Sequence, residues 1–398
     1  MGNKVEHFLL TAGIVVALFF CFVSGVHDGG NLVAAGVLSR SIAPRKALLL
    51  ATTAVFIGPL LYGSAVAFTL REVFLDKAMI QSANPPVLGL FLLSGVASAT
   101  LWNVMTWWVG RPSGSCYPLL GGLLGGGIAA FGFQGIQGWP LLGKVILVLL
   151  TAPVLGALVA YVAVSAARLL ENPRTPSALV GEGGTSLPVH EATRPRQRQG
   201  RPGAAPRKGG GGTTEECGES GGAWSWLQGL SLFFEGLGHG ANSAQKSAAV
   251  ILMLLLSSAS SNDGQLPLWA ILGCSLSLSA GVLLGGWKIA TILSGKTSRI
   301  ESIHSLASQL AAGVVLAGAN LLGAVVSPNQ LVKASVLGTG AGGRKKSLWR
   351  ILGNNLIMAW FVHLPASALI AAAIHWCASR ALGLGMGSLE AIMGVLGP

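Results

Sequence analysis

Apolar residues run along this chain in blocks long enough to cross a bilayer, which takes about 20 residues each. The first block covers 8–24 and resumes past a polar interruption to 38. Blocks at 47–70, 87–109 and 141–170 follow, with a shorter glycine-rich piece at 119–133. A second series covers 224–257, 268–293, 303–326, 331–341 and 351–376. Between the two series, 171–222 is rich in Pro, Gly, Arg, Gln and Glu and includes GGGG at 209–212. Such a stretch buries too little apolar surface to order itself and is expected to be a disordered linker. The expected organisation is a membrane unit over 1–170, the linker over 171–222 and a second membrane unit over 223–398, with a glycine-rich tail at 381–398 lying at the interface.

Polar clusters interrupt the first block of each series. The first reads His27-Asp28-Gly29-Gly30-Asn31. A carboxylate near the bilayer centre costs ~2.5–3.5 kcal/mol on insertion scales, and a helix glycine about 1 kcal/mol against alanine. The cluster is therefore expected to break the helix at Gly29 and Gly30, where a transporter would hold a solute. The second cluster runs from Glu235 through Gly240 to Asn242-Ser243-Ala244-Gln245-Lys246, with a break expected at Gly240. His27 sets against Asn242 at an offset of 215 (242 − 27), and Tyr117 against Gln330 at 213 (330 − 117). Two motifs in register over that distance indicate an internal duplication.

Composition agrees with the pattern. Of 398 residues 52% are hydrophobic and 10% charged, against ~25% charged in soluble domains. The net charge of +12 does not point to nucleic acid, because the basic residues sit between apolar blocks: Arg40, Arg45 and Lys46; Arg111; Arg168; Lys288, Lys296 and Arg299; Arg344, Lys345, Lys346 and Arg350. The positive-inside rule puts all of these in the cytoplasm if each series crosses five times. Both termini then lie outside, the linker is cytoplasmic, and the two halves have opposite topology. Inverted repeats with broken or re-entrant helices are a frequent architecture of secondary transporters, so an all-α polytopic protein of about ten membrane segments is expected. The five cysteines are scattered without zinc or redox spacing, so neither a disulfide framework nor a metal site is expected. No nucleophile–base pair, metal box or nucleotide loop is recognisable, so an enzyme is not expected and no cofactor is implied.

Four motifs carry a resemblance. Gly25-Val26-His27-Asp28-Gly29-Gly30-Asn31 is similar to G-[AF]-[NH]-D-x-A-N, and Gly238-His239-Gly240-Ala241-Asn242-Ser243-Ala244-Gln245-Lys246-Ser247 to N-H-G-A-N-D-V-Q-K-S. Trp102-Asn103, Thr106-Trp107, Gly110 and Pro112 meet W-N-x-x-T-W-x-x-G-x-P, and Ala359-Trp360 with Pro365-Ala366 meet A-W-x-x-x-x-P-A. These are the signatures of the inorganic phosphate transporter family of proton- or sodium-coupled symporters, which the chain resembles over both halves. The departures are specific. Ser243 stands where the second signature has an aspartate. Gly114-Ser115-Cys116-Tyr117 replaces S-S-S-H, and Ser327-Pro328-Asn329-Gln330 replaces S-T-T-H.

The resemblance implies a symporter importing inorganic phosphate across the plasma membrane. Sulfate or another oxyanion is an alternative cargo, and a non-transporting sensor or scaffold an alternative role. A tetrahedral oxyanion needs donors, and half-helix N-termini supply N–H groups with a positive dipole end. The expected anion donors are Asn31, Ser115, Asn242, Ser243, Gln245 and Lys246. Asp28, with His27 and Asn242, is expected to handle the coupling ion, H+ or Na+. With Ser243 in place of a carboxylate, proton coupling is favoured over sodium. Glu235 lies about two turns before Asn242 and is expected to pair with a basic group near the cytoplasmic end. The expected partners are the anion and the lipid bilayer, without nucleic acid; a homo-oligomer is left open.

Overall fold

The computed structural model describes residues 2–75, 83–109, 114–133, 136–170, 222–258, 264–294, 300–340 and 357–384. The linker assigned to 171–222 and the end of the tail fall outside them, apart from Gly222. Every regular element among the described residues is a helix. The first half holds α1 (Gly2–Leu38), α2 (Pro44–Tyr62), α3 (Ala65–Phe74), α4 (Pro85–Trp108), α5 (Cys116–Phe131) and α6 (Leu147–Leu170). α6 is entered through Gly138–Pro140 and a π-helical stretch, Leu141–Ile146. The second half holds α7 (Gly222–Ser257), α8 (Leu268–Ser294), α9 (Ser302–Leu321), α10 (Pro328–Gly338) and α11 (Leu364–Ala381), the last entered through a π-helical stretch, Ala359–His363. Among the described residues, seven helical stretches are long and apolar enough to cross a membrane, and Cys116–Phe131 is a shorter apolar helix. Leu49, Leu61, Leu276, Leu284, Val314 and Leu369 point outward, which suits a molecule whose exterior is covered by lipid.

The packing is crossed and reciprocal. α1 lies against α8 while α2 lies against α7; α5 lies against α11 while α10 lies against α6; α4 covers α1 and α5 as α9 covers α7 and α10. Each half therefore completes the core of the other. Residues predicted to correspond also touch: the Tyr117 hydroxyl donates to Gln330 Oε1 at 2.6 Å, and Ser243 Oγ donates to Asp28 Oδ2 at 3.3 Å.

Three expectations change. The helix breaks at Gly29, Gly30 and Gly240 do not occur: α1 and α7 run unbroken for 37 and 36 residues. Gly29 and Gly240 serve close approach instead. A Cβ on Gly29 would stand 2.7 Å from the Val282 carbonyl oxygen, and one on Gly240 2.4 Å from that of Val55. Small residues let membrane helices pack backbone to backbone, and a neighbour's packing offsets the weak helix propensity of glycine. Second, the block at 47–70 is not one span. The chain leaves α2 at Gly63, whose φ of 71° lies in the region that favours glycine, and restarts as α3. Third, the block at 303–326 ends as helix at Leu321. Gly323, at φ 66°, then turns the chain into a non-helical stretch that leads to α10. α5 and α10 are short helices, and their N-terminal ends face each other: a Cβ on Gly114 would lie 3.4 Å from Ser327 Oγ.

Candidate functional site

The site is centred on Asp28, a third of the way from the C-terminal end of α1 and 1% exposed. Both carboxylate oxygens are engaged by the other half of the chain. Oδ1 accepts a bond from Asn329 Nδ2 in the first turn of α10. Oδ2 faces His239 Nε2 on α7 at 3.0 Å and accepts from Ser243 Oγ, one turn further on, at 3.3 Å. His239 and Ser243 are spaced i, i+4, which places their side chains on one face of α7. A buried carboxylate is tolerated in an apolar interior only with such partners. Asn31 Nδ2 then donates to the side-chain oxygen Oδ1 of Asn329 at 3.3 Å and, within its own turn, to the His27 main-chain carbonyl at 3.4 Å. His27 is buried beside Asp28.

Lys246 is buried rather than reaching for the interface. It is 1% exposed, and its Nζ donates to the Val326 carbonyl at 2.8 Å, just before α10. It lies within electrostatic reach of Asp28, as does Lys333, one turn beyond Asn329 on α10. Lys246 also lines a cavity of about 10 Å³ with Leu70, Cys116, Leu119, Leu120 and Val325. That is room for about one water. Ser115 is the buried N-cap residue of α5 and Ser327 that of α10, and neither makes a side-chain cap bond. Both first turns therefore keep backbone N–H groups without a side-chain cap.

Two predicted donors face elsewhere. Asn242 gives Nδ2 to Asn320 Oδ1 at 3.0 Å and to the Ala324 carbonyl at 3.1 Å, and its Oδ1 takes the Val326 N–H at 3.4 Å. It fastens the stretch that leads into α10. Gln245 Oε1 takes the Val66 N–H at 2.9 Å and anchors the start of α3, while its Nε2 is buried without a hydrogen-bond partner. Glu235 departs from expectation too: among the described residues it meets no basic partner, and both of its buried carboxyl oxygens are without a hydrogen bond there. Burial between α7 and its neighbours, 1% exposed, takes it away from the surface charges it was expected to meet.

The structure adds Asn329, Asn320 and Gln330. Asn329 and Gln330 are visible in the sequence as departures from S-T-T-H, and an amide is itself a donor and acceptor. Their roles as partners of Asp28 and Tyr117 depend on contacts 301 and 213 residues apart. Asn320, buried within α9, donates to the Gly238 carbonyl at 2.8 Å.

An all-helical membrane protein whose halves meet over one buried carboxylate, with two uncapped helix ends opposed beside it, has the form of a solute carrier. A model described as the phosphate transporter family matches residues 24–371, and the chain belongs to that family. A protein of Rhizobium meliloti named "probable low-affinity inorganic phosphate transporter" is 29% identical over 371 residues, covering 93% of this chain and 96% of its own. A protein of Mycobacterium bovis with the same name is 32% identical over 372 residues, covering 93% and 77%. Among solved structures, "The sodium-dependent phosphate transporter" superposes with a TM-score of 0.74 at 19% identity, over 94% of this chain and 99% of that one, and so shares the fold. The family and these relatives are transporters, not enzymes.

Proposed function

We propose that this protein is a secondary symporter that imports inorganic phosphate across the cytoplasmic membrane, driven by a proton gradient. The observation that carries the choice of ion is Asp28 with Ser243, not a second carboxylate, across from it. Two facing carboxylates attract a desolvated cation; one carboxylate hydrogen-bonded by a serine hydroxyl and an amide, with Lys246 already near, has less use for a second cation and suits a single proton. Of its partners, Ser243 Oγ and His239 Nε2 can each act as donor or acceptor, whereas the Asn329 amide nitrogen only donates. A proton therefore belongs on Oδ2, where both neighbours can turn to accept it.

With Asp28 neutral, Lys246 is left as an uncompensated cation beside the opposed helix ends. An anion brought between α5 and α10 meets that ammonium, the uncapped N–H groups and the hydroxyls of Ser115 and Ser327. The cavity beside Lys246 is too small for phosphate, so the helix ends must part to admit it. Rocking of one repeat against the other supplies alternating access. In this reading the repeats are inverted, both termini are extracellular and the linker is cytoplasmic.

Uptake of labelled phosphate into proteoliposomes, with a pH gradient or a sodium gradient imposed separately, tests the proposal. Accumulation is expected with the pH gradient alone and is expected to resist excess sulfate. Uptake that needs sodium and ignores pH refutes the coupling; displacement by sulfate at equal concentration refutes the choice of anion.

A further inference from the structure

Glu235 is the buried ionisable group that the phosphate site leaves unused. It lies on α7 one turn toward the linker end from His239, at the i, i+4 spacing that puts two side chains next to each other on a helix face. Its environment is closed by close packing: Gly236 abuts Ala54 of α2, Gly240 abuts Val55, and Gly313 of α9 abuts Phe234 and the Glu235 backbone nitrogen. Both carboxyl oxygens are without a hydrogen bond, and so is His239 Nδ1, while His239 Nε2 is held at 3.0 Å from Asp28. A bare carboxylate sealed in an apolar seam is strongly disfavoured; a carboxylic acid there is tolerated.

The face continues toward the linker. Ser231, one turn before Glu235, donates to Gln309 Oε1 of α9 at 2.8 Å. Gln228, two turns before, donates to Ser305 Oγ at 2.7 Å and also to Gln309 Oε1. This cluster retains unused polarity, since Gln228 Oε1 and Gln309 Nε2 are buried without partners. Beyond it, at the start of α9, His304 Nε2 lies 2.9 Å from Arg168 and 3.5 Å from the exposed Glu301. Asp28, His239, Glu235, the Gln228–Ser231–Gln309 cluster and His304 thus form a line of polar groups from the site to the linker end of the bundle.

Resting on the proton-coupled reading above, we infer that Glu235 is the proton-carrying residue on the inward side, taking the coupling proton from Asp28 through His239 and releasing it toward the linker face. The transfer balances on the imidazole. Once Glu235 has released its own proton through the polar cluster, neutral Asp28 gives its proton to Nε2 as the Nδ1 proton passes to the Glu235 carboxylate, whose burial favours its return to the acid. Asp28 ends ionised, His239 ends as the other neutral tautomer and Glu235 ends protonated. Glu235 then loses that proton through the polar cluster to water, and His239 regains its starting tautomer when water admitted as the site opens takes the Nε2 proton and gives one to Nδ1.

Few other charged groups compete for the role. α1 contributes Asp28 and the buried His27. α2 presents Ala54 and Val55 here and carries Arg45 and Lys46 only in its first turn and Tyr62 in its last. α9 carries His304 near its start, and α4 has no titratable side chain. α3 meets α7 beyond His239, at Gln245, with Arg71 and Glu72 in its second half. α8 carries Cys274 and Lys288, and α10 carries Lys333, one turn past the Asn329 that holds Asp28.

The test uses the full-length protein in proteoliposomes with a pH dye inside, comparing Glu235→Gln and Glu235→Asp with the unsubstituted chain. One readout is exchange of labelled for unlabelled phosphate at equal pH. The other is phosphate-evoked proton flux with accumulation down a pH gradient. Glu235→Gln is expected to exchange phosphate within about twofold of the unsubstituted rate and to lose proton flux and accumulation at least tenfold; Glu235→Asp is expected to retain measurable flux. Equal flux in Glu235→Gln and the unsubstituted protein overturns the inference alone. Loss of exchange in both variants to the same degree overturns it in favour of a structural role. Exchange without any proton flux in the unsubstituted protein overturns it together with the coupling it rests on, and absence of exchange overturns the phosphate reading itself.

Discussion

The two signature segments correspond in sequence, yet they do different work at the junction. The α1 segment contributes the ionisable group: every side chain that contacts the Asp28 carboxylate, namely His239, Ser243 and Asn329, comes from the second half. The α7 segment contributes the frame. Asn242 fastens Ala324 and Val326, Lys246 fastens Val326, and Gln245 fastens Val66. One segment thus supplies the carboxylate at the junction, and the other the side chains that hold the approach to α10 beside it. The replacement of an acid by Ser243 marks the same division in the sequence.

The most severe way to break the comparison is to remove the charge. Asp28→Asn is expected to lower pH-driven phosphate uptake by on the order of 10²-fold, the scale of deleting a group that must take and give a proton. Ser243→Asp restores symmetry instead. It sets a second carboxylate beside Asp28 and is expected to make uptake respond to sodium while weakening its response to pH. Both are read as initial uptake rates in proteoliposomes, with protein insertion checked by immunoblot. If Ser243→Asp leaves ion dependence unchanged, the asymmetry between the halves does not select the ion.

Breaking the frame comes next. Asn242→Ala leaves the Val326 N–H and the Ala324 carbonyl without their amide partner in a buried place and frees Asn320 as well. Each such orphan costs about 1–3 kcal/mol, so a loss of roughly 3 kcal/mol is expected. The readout is the melting midpoint in detergent, followed through buried Cys116 or Cys274 with a thiol-reactive dye. Asp28→Asn, by contrast, is expected to melt within a few degrees of the parent, since an amide can keep the Ser243 contact.

Much of this arrangement was legible in the chain. The block pattern, the two polar clusters and their offset define the membrane class, the halves and the pairing of Asp28 with Ser243. Propensity misplaces the helix breaks because it marks Gly29, Gly30 and Gly240 as weak points, whereas the roles of Gly29 and Gly240 are set by Val282 on α8 and Val55 on α2, more than 180 residues away. Asn242 was read as an anion donor because its residue type fits; only the position of Ala324 and Val326 shows that its amide is already engaged. Glu235 looked like a surface-paired acid, since burial on all sides is a property of three packed helices and not of its neighbours in sequence.

The crossed packing can be tested at smaller cost to the protein. Gly25→Ala places a methyl group 2.2 Å from the Leu278 carbonyl oxygen, and Gly240→Ala places one 2.4 Å from that of Val55. Backbone cannot yield as a side chain does, so each is expected to destabilise by about 1–3 kcal/mol. Because the α1–α8 and α2–α7 seams are counterparts, the two losses should be similar. Gly143→Ala, with nothing within 4 Å of the added methyl, serves as the control and should melt with the parent. A large loss at one seam and none at the other would show that the halves do not share the packing equally.

The smallest expected effect lies where the two short helices α5 and α10 touch. The Tyr117 hydroxyl donates to Gln330 at 2.6 Å, and its ring meets Trp360 edge-on at 5.4 Å between centroids. Tyr117→Phe keeps the ring and its burial but removes the hydroxyl, leaving the Gln330 carbonyl oxygen to find another donor. A loss of about 1 kcal/mol is expected, the worth of one such bond. The bond joins α5 to α10 across the two halves of the chain, at the ends that, in the transport proposed above, part to admit an anion. Weakening it therefore favours the parted state as much as it weakens the closed one. Exchange of phosphate should hold steady or rise while the melting midpoint falls slightly. Leu119 and Leu120, on the next turn of α5, line the cavity beside Lys246, so a dye on a cysteine introduced at Ser115 should report greater accessibility in the Tyr117→Phe background. Equal accessibility in both backgrounds would mean that the Tyr117–Gln330 bond does not hold the helix ends together.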